Sequence, residues 1–309
     1  MIMERPLLSW DPDGVQAWAD VAPEHGSVLV HSLRGFIDAG RAGALVADHI
    51  LETGDPQRIA TFDIDQLLDY RSRRPEMTFS VNQWTAYDEP HLALDLVHDQ
   101  EGSSFLLLHG FEPDIQWERY IATVREAVDR LGVGLTLGSH GIPMAVPHTR
   151  PLTVTIHGTD PDLLPDSASM FGTVTVPASA QNLLEYRFGQ WGLPAVNVAV
   201  HVPHYLAQSS YPQAAQRALE GLEDLSGLDL DPAALDDAAA IASEEIDRQL
   251  AESEEVQALV EALENQYDAF HEARGRGLEV EGGLPSADEI AAEFEKFLAQ
   301  ERRDPPTQP

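Results

Sequence analysis

Twelve histidines and no cysteine set the chemistry open to this chain of 309 residues. Residues 141–151 read GIPMAVPHTRP, with Pro143, Pro147 and Pro151 spaced four apart and His148 and Arg150 between the last two. Proline fixes its own φ and has no N–H to give a sheet. It also drives the preceding residue into extended geometry. The stretch therefore predicts a stiff, extended connector that holds His148 and Arg150 nearly still. Two roles follow. In a binding site, Arg150 clamps an anion and His148 donates a hydrogen bond or proton. In a braced crossing, Arg150 pairs with a carboxylate such as Glu112 or Asp114, and His148 with a backbone carbonyl. A second histidine pair lies in HVPHY, where His201 and His204 precede Tyr205. Two imidazoles fall short of a metal site, and the proline between them opposes a helical ligand pair. Hydrogen-bonded core histidines are expected, with no metal and no cofactor.

The carboxylates and glycines add less. In GFEPD, Glu112 and Asp114 stand two apart, and Asp114 is expected to cap the helix that follows. GFIDAGRAG places Gly35, Gly40 and Gly43 between a strand and a helix. It has Arg41-Ala42 where a P-loop has Lys-Ser/Thr, and it is not GxGxxG. Asp38 is the expected N-cap and competes with any anion for the helix amides. Tight strand-to-helix packing is the expectation. No nucleophile signature appears. There is no thiolate, GSHG at 138–141 is not a GxSxG elbow, and His271-Glu272 lacks the second histidine of HExxH.

Strands are read at 27–33, 58–64, 92–98, 105–109, 133–138, 152–157, 173–176 and 195–202, and helices at 39–52, 115–131, 180–191 and 212–225. Residues 66–90 read as mixed, with arginines at 71, 73 and 74. The 92–98 and 105–109 pair is expected to be antiparallel. The alternation predicts an α/β chain, a three-layer α/β/α domain over residues 1–228 with a mostly parallel mixed sheet. An acidic α-helical C-terminal region follows at 229–299. It carries an apolar stripe from Val256 to Phe270 and a Ser286–Glu289 capping box. Residues 300–309 are expected to be a disordered tail. In open α/β sheets, ligands gather beyond the carboxyl ends of parallel strands. The residues falling there form the candidate cleft: Gly35, Asp38, Glu112, Asp114, His140, His148, Arg150, His201, His204 and Tyr205.

Net charge is −33 and apolar content 43%. A core is within reach, while nucleic acid and anionic membranes are poor partners for so acidic a surface. Between Glu220 and Asp304 lie 25 acidic and 6 basic residues, more than half of the excess negative charge. No signal sequence and no run of about 20 apolar residues is seen, so a soluble cytoplasmic chain is expected.

HSLRGFIDAGRAG, DIDQLLDYRSRRP, LLLHGFEPDIQWERY, GIPMAVPHTRP and HVPHYLAQSSYP, in that order, resemble the proteasome assembly chaperone 2 family. The likeness is to its long, actinobacterial-type members and spans roughly residues 25–270. The resemblance implies a phosphorylase/hydrolase-like α/β/α fold, a homo-oligomer, and protein partners such as proteasome subunits. Eukaryotic members are dimeric chaperones of proteasome α-ring assembly. Some proteasome-binding members end in a hydrophobic-Tyr-any tail, whereas this chain ends in PPTQP. No catalytic residue carries over from the family. The leading expectation is thus a non-enzymatic assembly or interaction protein. The alternative is an enzyme or small-ligand binder with a cleft lined by His148, Arg150, His201 and His204.

Overall fold

The computed structural model describes residues 5–23, 26–165 and 173–275. In chain order the elements are β1 (Leu8–Trp10), α1 (Pro12–Val21), β2 (Ser27–Arg34), α2 (Ala42–Thr53), β3 (Gln57–Phe62), β4 (Met77–Ser80), β5 (Gln83–Tyr87), β6 (Leu92–His98), β7 (Ser104–Phe111), α3 (Trp117–Leu131), β8 (Val133–Met144), β9 (Val154–Gly158), α4 (Ala180–Trp191), β10 (Ala195–Pro203), α5 (Pro212–Ser226), α6 (Asp236–Ala251) and α7 (Glu254–Gly275).

Eight strands form one mixed sheet, in the order β1-β3-β6-β7-β2-β8-β10-β9. Its centre, β7-β2-β8-β10, is parallel. Its flanks are antiparallel: β1, β3 and β6 on one side, β9 on the other. The near-continuous apolar runs of β2, β6 and β7 arise because these strands are covered on both faces. One face packs on α1, α3 and α4 through Trp18, Tyr120, Ile121, Leu184 and Phe188. The other packs on α2 and α5 through Val46, Ile50, Ala215, Leu219 and Leu222. This is the three-layer α/β/α arrangement.

Helix ends follow their signals. Gly132, Gly192 and Gly227 take left-handed φ values of 69°, 69° and 73° just past α3, α4 and α5. Glycine alone adopts that conformation without steric cost, so it stops a helix cleanly. Asp38 caps α2 from a distance. Its carboxylate accepts from the Gly43 and Ala44 amides at 2.7 and 3.0 Å, while Arg41 occupies the formal cap position.

Several local expectations fail. Residues 173–179 carry no strand pairing; an extended, valine-rich segment is a strand only when it finds a partner. Ile115 lies outside α3 and is 45% exposed. Residues 77–87 form a hairpin, β4–β5, that pairs with no other strand among the described residues. Both of its faces meet solvent, so burial imposes no period-2 pattern by which a sequence would reveal it.

α6 and α7 pack beyond α5. Ile246 joins the core under α5, and Val260 and Leu263 of the apolar stripe are buried. Leu259, also in that stripe, is exposed. The Ser286 capping box, the helix expected after it and the 300–309 tail lie outside the described residues. No helix among the described residues is long and apolar enough to cross a membrane.

Candidate functional site

On the α2/α5 side, β10 presents Val196, Val198, Val200 and Val202 to the apolar core. Strand alternation then turns Asn197, Ala199 and His201 to the opposite face. β9 does the same, with Val154 and Ile156 on one side and Thr155 and His157 on the other. β8 places Gly138, His140 and Ile142 on that second face, in register with Asn197, Ala199 and His201. The second face of this corner of the sheet is therefore polar, and α4 covers it with Gln181, Asn182 and Glu185.

A continuous hydrogen-bonded seam results. Gln181 Nε2 donates to Asn197 Oδ1 at 3.2 Å and, more weakly, to His140 Nδ1 at 3.4 Å. Asn197 Nδ2 donates to Glu185, whose carboxylate also holds His157 Nδ1 at 3.0 Å. The two imidazoles at the ends of this chain, His140 and His157, stand edge to face with centroids 6.2 Å apart. Burial drives the His140 imidazole down to about 3, aided by repulsion from His157 and His31, so it is neutral at pH 7. His31 is pushed down to about 4 by the same desolvation, opposed by attraction from Glu185, and its Nδ1 is buried with no hydrogen-bond partner. Gly138 is required here, because a Cβ on it would lie 1.7 Å from Asn197 Oδ1.

His140 and His157 open into a cavity of about 240 Å³ walled by Ile37, Ile142, Pro143, Met144, Thr155, Val174, Val176, Asn182 and Ala199. A smaller void of about 10 Å³ shares Ile37, His140 and Asn182 with it and reaches Gly35 and Glu112. Glu112 is buried, and its oxygens accept from the Ala180 amide at 2.6 Å and the Phe36 amide at 2.7 Å. It thus anchors the start of α4, where a carboxylate is favoured by the helix dipole. Gly35 leaves it room: a Cβ there would lie 2.2 Å from Glu112 Oε2.

The ten cleft residues read from sequence separate into groups. Gly35, Glu112 and His140 gather at this corner. His201 is fully buried beside it, its two ring nitrogens 2.8 Å from the Thr153 and Thr155 hydroxyls. Desolvation holds it at about 4. Asp38 caps α2, and its carboxyl is raised to about 6 by burial, against the pull of the amides it accepts from and of Arg41. Asp114 does not cap α3. It binds the Asp69 amide at 2.9 Å and Arg73 Nη2 at 2.5 Å, because the chain enters α3 through Gln116 in a left-handed turn.

His148, Arg150, His204 and Tyr205 sit elsewhere, beneath α6 and α7. Arg150 binds Asp268 and Glu264 on α7, not Glu112 or Asp114. His148 donates its backbone N–H to the Tyr205 hydroxyl at 2.9 Å. That hydroxyl also shares a hydrogen bond with His148 Nδ1 at 2.7 Å, where the sequence predicts a backbone carbonyl as partner. His204 Nδ1 is buried with no hydrogen-bond partner. Of the missed residues, His157, Gln181, Asn182, Glu185 and Asn197, the two on strands, His157 and Asn197, carry a sequence signal. TVTIHG and AVNVAVHV alternate apolar with polar, which marks a strand face that something polar must cover.

Residues 32–250 match the PAC2 family. The chain belongs to the PAC2 family. Among solved structures, this PAC2-family protein is similar to the Mycobacterium tuberculosis unknown function protein Rv2714. The two share 44% identity over 96% of this chain and 97% of that one, with a TM-score of 0.84. A protein of unknown function from Corynebacterium glutamicum shares 37% identity over 85% and 97% of the two chains, with a TM-score of 0.79. The Mycobacterium tuberculosis proteasome-assembly chaperone homologue Rv2125 shares the fold at 22% identity and a TM-score of 0.69, over 75% of this chain and 99% of that one. No curated protein matches. These solved structures share the α/β/α arrangement described above.

Proposed function

We propose that this PAC2-family chain is a non-enzymatic, assembly-chaperone-like interaction protein that works as a homo-oligomer and binds proteasome subunits. The observation that carries this reading is the β4–β5 hairpin. Phe79 and Trp84 are 56% and 62% exposed and pack edge to face on each other, and Met77, Val81 and Tyr87 are exposed beside them. A two-stranded ribbon is at best marginally stable alone in water, and a contiguous exposed apolar patch marks a protein contact. Subunits bearing −33 charges repel, so any contact between copies must bury apolar groups of this kind. Membership of the PAC2 family, together with the fold shared with a proteasome-assembly chaperone homologue, supports the choice of partner. Assembly of a proteasome ring occurs in the cytoplasm, which is where this reading puts the chain.

The test replaces Phe79 and Trp84 by serine, which leaves the body of the fold untouched. Light scattering after size exclusion should show a defined oligomer for the wild type and a smaller species for the variant. Unassembled proteasome α-subunits from the host should copurify with the wild type. A monomeric wild type that retains no proteasome subunit would sink the reading.

A further inference from the structure

We propose that the cavity between β8, β9, α4 and residues 174–176 binds an uncharged small molecule with an apolar body and one hydrogen-bonding edge. Its volume, about 240 Å³, is many times the roughly 10–15 Å³ that one water needs on the same measure. Most of its wall is apolar, and the polar groups converge on one side, the usual build of a small-molecule site. That side is formed by His140, His157 and Asn182, with the Thr155 hydroxyl adjacent.

The charges decide the class. Among the described residues no lysine, arginine, aspartate or glutamate lines the cavity. His140 receives the Gln181 amide on Nδ1, which leaves its proton on Nε2 and makes it a neutral donor. A proton on His157 would be balanced by Glu185, which holds its Nδ1; without that proton the pair keeps the carboxylate's negative charge. An anion therefore finds no net positive partner. A cation would be stripped of water against isoleucine, valine and methionine, while the Glu185 oxygens are already engaged by Asn197 and His157. A neutral ring or chain bearing an amide-type edge suits the wall: its carbonyl accepts from an imidazole N–H, and the Asn182 carboxamide both gives and receives.

The probe is benzamide, set against its charged isosteres benzoate and benzylamine. The protein carries ¹³C-methyl methionine, which gives Met144 a reporter in the cavity wall, assigned through Met144→Leu. Benzamide should shift the Met144 methyl saturably, with a Kd at least tenfold lower than that of either isostere. Ala199→Leu fills the cavity floor and should weaken benzamide at least tenfold. Asn182→Leu, on the surface of α4, removes part of the polar edge and should weaken it several-fold, which keeps the test sharp if the first variant does not fold. An unmoved Met144 methyl, an isostere that binds as tightly as benzamide, or undiminished binding in the folded variants overturns the proposal. The protein-partner reading above stands or falls separately, on the hairpin.

Discussion

Arg150 and Asp268, 118 residues apart in the chain, are joined by two parallel hydrogen bonds, Nε to Oδ1 at 2.9 Å and Nη2 to Oδ2 at 2.8 Å. Glu264, one turn earlier on α7, takes Nη1 at 3.2 Å. Tyr267 donates its hydroxyl to the Pro151 carbonyl at 2.9 Å, and Thr149 donates to Glu264. The proline-braced PHTRP segment is thus the dock for the acidic C-terminal helices. Its stiffness matters because a fork-shaped guanidinium gains most when its backbone is already fixed.

Arg150→Ala should loosen that dock without unfolding the body. Amide exchange across 254–272 is expected to accelerate several-fold, while the sheet keeps its protection. Arg150→Lys should resemble alanine more than wild type, since an ammonium cannot make the forked contact. Hydrogen exchange read by mass spectrometry checks this; unchanged protection of α7 in both variants would refute it.

The Tyr205 hydroxyl meets both the backbone N–H and the ring Nδ1 of His148, whose Nε2 faces the Asp247 carboxylate at 3.9 Å. Tyr205→Phe keeps the ring packing and leaves both groups without that hydroxyl. A loss of about 1–3 kcal/mol is expected, the cost of unsatisfied buried polar groups. Urea unfolding measures it, and a change below about 0.5 kcal/mol would show that water replaces the hydroxyl.

Gly35→Ala should destabilise by about 1–3 kcal/mol through overpacking, because its Cβ meets the Glu112 carboxylate that anchors α4. The clash is specific to that carboxylate. In the Glu112→Ala background the same substitution should cost much less, and the double-mutant cycle should show strong coupling.

Mild acid should destabilise the protein. His31, His140 and His201 have pKa values of about 4, 3 and 4 when folded, against 6.5 unfolded. Below pH 6.5 the unfolded chain takes up these protons and the native state does not, so stability falls as pH drops from 6.5 toward 4. Asp38 acts in the opposite sense. Raised to about 6, it binds its proton in the native state first and returns part of the loss as pH falls below 6. For these four groups the balance is up to two protons, or about 2–3 kcal/mol per pH unit, and His91 and His148, also lowered by burial, act in the same sense as the other histidines. Urea midpoints from about pH 7.5 down to about pH 5 should show this slope, and His201→Gln should reduce it; a flat profile would contradict the buried neutral histidines.

The sequence determined the layers. Val196–Val202 alternation, the glycine stops at 132 and 192, and the Pro212 start of α5 act over one or two turns, and each was legible where it stood. The family likeness was also legible, in segments such as LLLHGFEPDIQWERY and HVPHYLAQSSYP. The hairpin at 77–87 was not, since an arm bathed in solvent on both faces carries no burial pattern. The candidate site was half legible. Gly35 and Glu112 follow strand ends, where ligands collect, while His140 lies within β8, which runs on to Met144. Glu185 and Gln181 lie on the 180–191 helix, whose sequence does not mark which of its polar residues are covered. Only the tertiary structure decided that their face lies over the polar side of β8, β9 and β10, because a pair such as Asn197 and Glu185 meets only after α4 packs back across the sheet. It likewise decided that Arg150 faces Asp268 and Glu264 rather than Glu112 or Asp114. Charge pairs have no sequence period, and among so many carboxylates the partner is chosen by which helix the fold brings alongside.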